Sequence, residues 1–252
     1  MMPETSFVGK HRISLPETSS TNNYAAELLK ENPPDGTLIQ TFNQTKGRGQ
    51  QGNIWVSPPG KNLTFSLIFY PEFLDIKEVF SLSKVISVAL CQMLETYLPW
   101  ENIQIKWPND ILINQKKTAG ILIENQLEGS SIKASIIGIG LNVNQTKFPV
   151  EFEHRSTSME KAGRREFDLE KILMDALSSV ENAYLKLKDG DSHYINRMYY
   201  QYLYGYQEDI KVIIQGKSEI VSIAGVEKSG KLIIRMNDSL HYFGFKELTF
   251  VL

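Results

Sequence analysis

The chain has little of what the commonest covalent catalysts need. One of its 252 residues is cysteine, which excludes an internal disulfide and a cysteine-rich zinc site. That residue, Cys91, falls in an apolar helical stretch, where a thiol packs more readily than it reacts. The four histidines, His11, His154, His193 and His241, are scattered without metal-ligand spacing, and no Ser-His-Asp or Cys-His arrangement can be drawn. A Walker-A phosphate loop is missing as well. Gly216-Lys217-Ser218 lacks the glycine five positions earlier, where Lys211 stands. Neither sign of charge prevails, with 27 basic against 29 acidic residues, so no overall field draws the chain to nucleic acid. No apolar run approaches the length of a membrane span. The opening Met-Met-Pro-Glu-Thr-Ser lacks the basic and apolar regions of a secretory leader. Together these absences predict a soluble, cytoplasmic protein with neither nucleic acid nor membrane as partner.

At this length the chain can bury one large core and hold a small second domain. Asn22 to Glu31 has a helical apolar face with Ser20, Thr21 or Asn22 as its cap. Pro33 to Gly36 turns the chain into a strand over Thr37 to Phe42. Leu63, Phe65, Leu67 and Phe69 alternate with Thr64, Ser66, Ile68 and Tyr70, predicting a strand with one strongly apolar face. From Glu78 to Tyr97 the period changes to that of a long amphipathic helix. Ile103 to Trp107, Gly120 to Gln126 and Lys133 to Val143 read as strands, with Asn114-Gln115-Lys116 as a hairpin turn. Residues 144 to 167 are polar and read as a loop or partly mobile segment. Asp168 then caps a helix that Gly190 stops, and Ser192 to Tyr202 forms another. The remainder alternates short β runs with glycines. The order predicts an α+β fold, divided as 1–204 and 205–252, with no internal repeat.

Two segments carry chemistry. Gln44-Thr45-Lys46-Gly47-Arg48-Gly49-Gln50-Gln51-Gly52-Asn53-Ile54-Trp55 places three glycines within six residues beside two cations. Such a loop leaves backbone amides free to approach a carboxylate or phosphate, although a hairpin with two solvated cations would read the same. Lys106-Trp107-Pro108-Asn109-Asp110 is followed by Lys117-Thr118-Ala119-Gly120-Ile121-Leu122-Ile123-Glu124. The order GRGxxGxxW, KWPND, KxAGILxE and GxGxN (Gly138 to Asn142) resembles the biotin–protein ligases, closely over residues 14 to 145 and more weakly to the C-terminus.

The resemblance implies a mixed β-sheet catalytic domain of the class II synthetase-like kind, packed by helices, and a small C-terminal SH3-like β-barrel. It implies ATP and Mg²⁺ as cofactors, biotin as substrate, and biotinyl-5′-AMP as intermediate. The acceptor would be a lysine on the biotin carboxyl carrier domain of a biotin-dependent carboxylase. Both nucleophiles then come from substrates, which fits the missing catalytic cysteine and histidine. Because the catalytic-type sequence starts at Ser19-Ser20-Thr21-Asn22, the resemblance is to the form without an N-terminal helix-turn-helix. Relatives occur as monomers and as homodimers, and both remain open.

Residue by residue, Ser20, Thr21, Asn22 and Gln44 match positions that bind biotin, whose ureido ring needs donors and acceptors. Helix capping is the plainer reading of Ser20 and Thr21, and a surface strand that of Gln44. Arg48, Gly49, Gln50, Lys117 and Gly120 complete the implied biotin set. Gly47, Arg48, Trp55, Lys106, Asn109, Lys117 and Asn142 are similar to the ATP and adenylate set. Lys117 and Arg48 stand at catalytic positions, and Asp110 at a Mg²⁺ position. Otherwise Trp55 is a core aromatic, Lys117 a solvated edge charge, and Asn109-Asp110 a turn. Many relatives read Gly-Arg-Gly-Arg where this chain has Gln50. Glutamine loses the charge and the bidentate fork, which implies a looser hold on the intermediate. The C-terminal segment either completes the ATP site or supports carrier docking. The rival readings are a lipoate–protein ligase of the same architecture and a non-catalytic biotin- or nucleotide-binding module.

Overall fold

Apolar periodicity sets most elements of this chain, and the sheet order decides which of them meet. The computed structural model describes residues 4–129 and 131–252; Met1 to Pro3, the start of the stretch read for a leader, lie outside the described residues. The chain runs through β1 (Arg12–Thr18), α1 (Thr21–Leu28), β2 (Thr37–Gln44), β3 (Gly47–Arg48), β4 (Ile54–Trp55) and β5 (Leu63–Phe69). Next come α2 (Phe80–Tyr97), β6 (Ile103–Lys106), β7 (Asp110–Ile113), β8 (Lys116–Glu128) and β9 (Ser131–Leu141). Two short helices, α3 (Val150–Glu153) and α4 (Met159–Gly163), precede the long α5 (Leu169–Lys188) and α6 (Ser192–Tyr202). Five strands end the chain: β10 (Asp209–Ile214), β11 (Lys217–Val226), β12 (Leu232–Met236), β13 (Ser239–Phe243) and β14 (Leu248–Phe250).

The main sheet has the order β1-β2-β5-β9-β8-β7-β6. Only β1 and β2 are parallel, so the sheet is mixed. The C-terminal sheet, β13-β12-β11-β10-β14, is antiparallel throughout. Its outer strands β13 and β14 do not pair, so hydrogen bonding leaves it an open sheet where a barrel was expected. Trp107 joins the two sheets, donating its indole N–H to Gly230 O at 2.9 Å.

Two expectations need correction, and one strand was not expected. All seven residues of β5 are buried, not one face alone, because α1 covers the second face and packs Ala25 with Ile39, Ile68 and Ile136. β1 escaped notice because an edge strand bearing Pro16 and three exposed positions has no apolar period. The 144–167 segment holds two helices and is strapped down. Buried Asn144 donates to Phe167 O at 2.7 Å and accepts from Phe167 N at 3.0 Å.

By length and composition the stretch Ile76–Tyr97 could cross a membrane, contrary to the reading that no apolar run comes close, but 67% of its apolar 18-residue window is buried inside the protein. It is apolar nearly all round because the sheet, α5 and α6 enclose it. Lys84 is the exception within this core. Its ammonium donates to Asn196 Oδ1 at 2.7 Å and lies 5.4 Å from the rings of Tyr199 and Tyr200. Burial pulls it down to about 8. The unfolded chain therefore holds this proton more tightly, so stability rises with pH between about 8 and 10.5. At pH 7 the charged form costs about 3 kcal/mol. Lys84→Met should melt higher than wild type at pH 7, with the gap closing towards pH 10; a gap constant with pH would show that Lys84 is not held in this way.

Candidate active site

A cleft of about 450 Å³ opens over the middle of the main sheet. Its floor is set by register. Thr64 of β5, Gly140 of β9, Gly120 of β8, Asp110 of β7 and Lys106 of β6 lie side by side across five strands. Two residues along, Ser66, Gly138 and Leu122 form a second row on the same face. The glycines keep this floor low. A Cβ on Gly140 would overlap the Trp55 indole, and one on Gly138 would overlap the Asn22 amide.

Lys117 reaches the floor by a register shift. Counting by twos from Gly120 would present Thr118, but Ile111 pairs with Ala119 and Leu112 with Lys117. The bulge turns Lys117 to the cleft, a device common beside active sites. Its ammonium lies 2.6 Å from Asp110 Oδ1, and Lys106 Nζ lies 3.8 Å from Oδ2 of the same carboxylate. Burial lowers the Lys106 ammonium below its ordinary value, with Asp110 opposing and Lys117 reinforcing that shift. Two cations and one anion thus crowd a half-buried spot, leaving local positive charge for a phosphate. Asp110 is the one carboxylate lining the cleft among the described residues, and no cluster of three metal-ligating side chains occurs among them.

At the other end Ser20 caps α1, its Oγ accepting from Asn23 N at a long 3.5 Å, and still lines the cleft. Thr21 donates its backbone N–H to Gln44 Oε1 at 2.9 Å, and its hydroxyl donates to Ser66 Oγ at 2.7 Å, because the single Ser66 proton goes to the Asn22 amide oxygen. Capping and lining therefore coexist. Asn22 is held at three points. It accepts from Ser66 Oγ at 2.7 Å and donates to Leu122 O at 3.3 Å and Glu124 Oε2 at 2.7 Å.

The glycine loop is a hairpin in which Gly47 pairs with Trp55 and Arg48 with Ile54. Arg48 Nη2 bonds Glu124 Oε2 at 2.8 Å. Gly49 N–H is committed to Asn53 O at 2.7 Å, so in this conformation it offers no proton to an anion, unlike the sequence expectation. Gln50 lines the cleft beside it. Trp55 is no core residue: its ring lies over Gly120 and Gly140, 5.8 Å from Lys117 Nζ, and its buried indole N–H has no acceptor among the described residues.

Two expected residues sit differently. Asn109 lines the cleft, but its amide donates to Ile121 O at 2.7 Å and so braces the turn after the cis Trp107–Pro108 bond. Asn142 is not among the lining residues. It is buried and donates to Thr157 O at 3.0 Å, because it ties down the segment after β9.

The sequence shows Glu124 only as the end of the KxAGILxE motif, with no role assigned, although the period of two from Gly120 through Leu122 could have placed it on the floor face. Sequence reasoning passed over Phe245, Lys246 and Phe250, which bring the C-terminal sheet to the rim. Phe250 lies 5.9 Å from Lys106 Nζ, and no local pattern links residues so far apart.

Known proteins resemble this chain in sequence and fold. Residues 14–142 match the biotin/lipoate A/B protein ligase family. The bifunctional ligase/repressor BirA of Bacillus subtilis is 32% identical over 239 residues, covering 94% of this chain and 73% of that protein. The biotin–[acetyl-CoA-carboxylase] ligase of Paracoccus denitrificans is 37% identical over 132 residues, 51% of this chain and 53% of its own. Among solved structures, the biotin protein ligase from Aquifex aeolicus in complex with biotin and ATP aligns with a TM-score of 0.78 at 26% identity, covering 95% of this chain and 98% of that one. The chain belongs to the biotin/lipoate A/B protein ligase family.

Proposed function

We propose that this protein is an ATP-dependent biotin–protein ligase. The carrying observation is the adjacency of a polar cradle, Thr21, Asn22 and Gln44, to a cationic end, Lys117 and Lys106 around Asp110. A carboxylic acid with a polar head, laid along the floor, would present its carboxylate between Arg48 and Lys117. The carboxylate attacks the α-phosphate of ATP, pyrophosphate leaves, and a lysine amine of the carrier domain then attacks the acyl carbon and releases AMP. Lys117 and Lys106 neutralise charge on the phosphate oxygens. Trp55 and the loop hold water off the mixed anhydride. Mg²⁺ would enter with the ATP phosphates, offsetting their charge, and Asp110 would help hold it.

The family also contains lipoate ligases. A site built to pair polar groups rejects ligands lacking them by roughly 10⁴-fold, and the Ser66–Thr21–Asn22 network favours the ureido ring of biotin over an aliphatic chain. The acceptor is the carrier domain of a biotin-dependent carboxylase, and the reaction belongs in the cytoplasm. Incubation with biotin, ATP and a carrier domain should biotinylate one carrier lysine, dependent on both small molecules. Labelling with lipoate in place of biotin would overturn the substrate. The loop 47–60 should be cut several-fold more slowly by protease when biotin and ATP are bound, and equal rates would show that it does not close on ligand.

A further inference from the structure

The Glu124 carboxylate holds two groups from two different elements. Its Oε2 accepts from Asn22 Nδ2, on α1, at 2.7 Å and from Arg48 Nη2, on the glycine loop, at 2.8 Å. The Asn22 amide is thereby fixed in one orientation, because its oxygen already takes the Ser66 hydroxyl and its nitrogen also reaches Leu122 O. Among the described residues only Nη2 of Arg48 is engaged, so the rest of the guanidinium keeps donors for a ligand anion. Glu124 stands on β8 two residues beyond Leu122, on the face that carries the floor, and its side chain remains 37% exposed.

We propose that Glu124 is a positioning residue that sets Asn22 and Arg48 in register with each other before substrate arrives. This rests on the reading of Asn22 and Arg48 as lining the biotin site. A tether attached to both the cradle and the loop reduces the ordering that ligand binding must supply. Because the ion pair is part-exposed, its effect is modest and sensitive to salt.

The test measures KM and kcat for biotin in pyrophosphate exchange for wild type, Glu124→Ala, Glu124→Gln, Arg48→Ala and the double variant Arg48→Ala/Glu124→Ala. Glu124→Ala should raise the biotin KM roughly three- to tenfold, with the KM for ATP nearly unchanged. In the double variant the second loss should add little to the first. Glu124→Gln, which can still accept from Asn22, should recover part of the affinity and lose the salt dependence of the wild-type KM. A lower biotin KM in Glu124→Ala would make Glu124 a competitor for Arg48 and overturn the proposal. So would an unchanged KM, or full additivity with Arg48→Ala. If Arg48→Ala itself leaves the biotin KM unchanged, the site reading fails; if it raises KM while the Glu124 variants do not, only the tether fails.

Discussion

Replacing Lys117 with alanine is expected to slow adenylate formation by on the order of 10²-fold or more, with a smaller effect on biotin binding. The ammonium lies 2.6 Å from Asp110 on one side and 5.8 Å from the Trp55 ring on the other. In the proposed reaction this is where negative charge gathers as the carboxylate meets the α-phosphate. Removing it also leaves Asp110 with Lys106 at 3.8 Å as its one cation among the described residues, an anion facing an incoming polyanion. Single-turnover formation of biotinyl-5′-AMP measures the loss, and a near-wild-type rate would remove Lys117 from the chemistry.

The second large effect is expected from one methyl group. Gly138→Ala places a Cβ against the Asn22 amide oxygen, and that amide is already fixed by Ser66, Leu122 and Glu124. It must leave its place on the floor. Displacement by about 1 Å at a positioned site can cost up to roughly 10²-fold, and that loss should fall on kcat/KM for biotin. The backbone at Gly138 has no positive φ, so alanine suits the strand itself. The control is Asn22→Ala, which removes the obstruction; adding Gly138→Ala to it should then cost little. Unchanged kinetics in Gly138→Ala alone would mean that Asn22 does not need the floor.

The sequence carried the local features and missed those made by register. The long helices showed in their apolar period, and Asp168 and Ser20 as caps in their side chains. The motif residues around Lys106, Asp110 and Lys117 were visible because short-range order brings them into one β6–β7–β8 meander. The floor glycines were quoted within the motifs, but their purpose depends on β5, β9 and β8 lying side by side, which only the sheet order supplies. Asn142 enters the site set only through the family resemblance; although it follows Gly140 by two, the strand ends at Leu141, so the alternation that places Gly140 in the cleft does not extend to it. The bulge at Thr118 worked in the opposite direction and brought Lys117 to a face that simple alternation denies it. Phe245 and Phe250 reach the rim through packing of the second sheet, anchored by Trp107.

The most direct measurement of the central claim is exchange of labelled pyrophosphate into ATP, with biotin, lipoate and octanoate supplied separately and Lys117→Ala as control. Exchange with biotin alone, lost in the variant, is the predicted result. Exchange with lipoate but not biotin, or tight biotin binding without any exchange, would contradict the account.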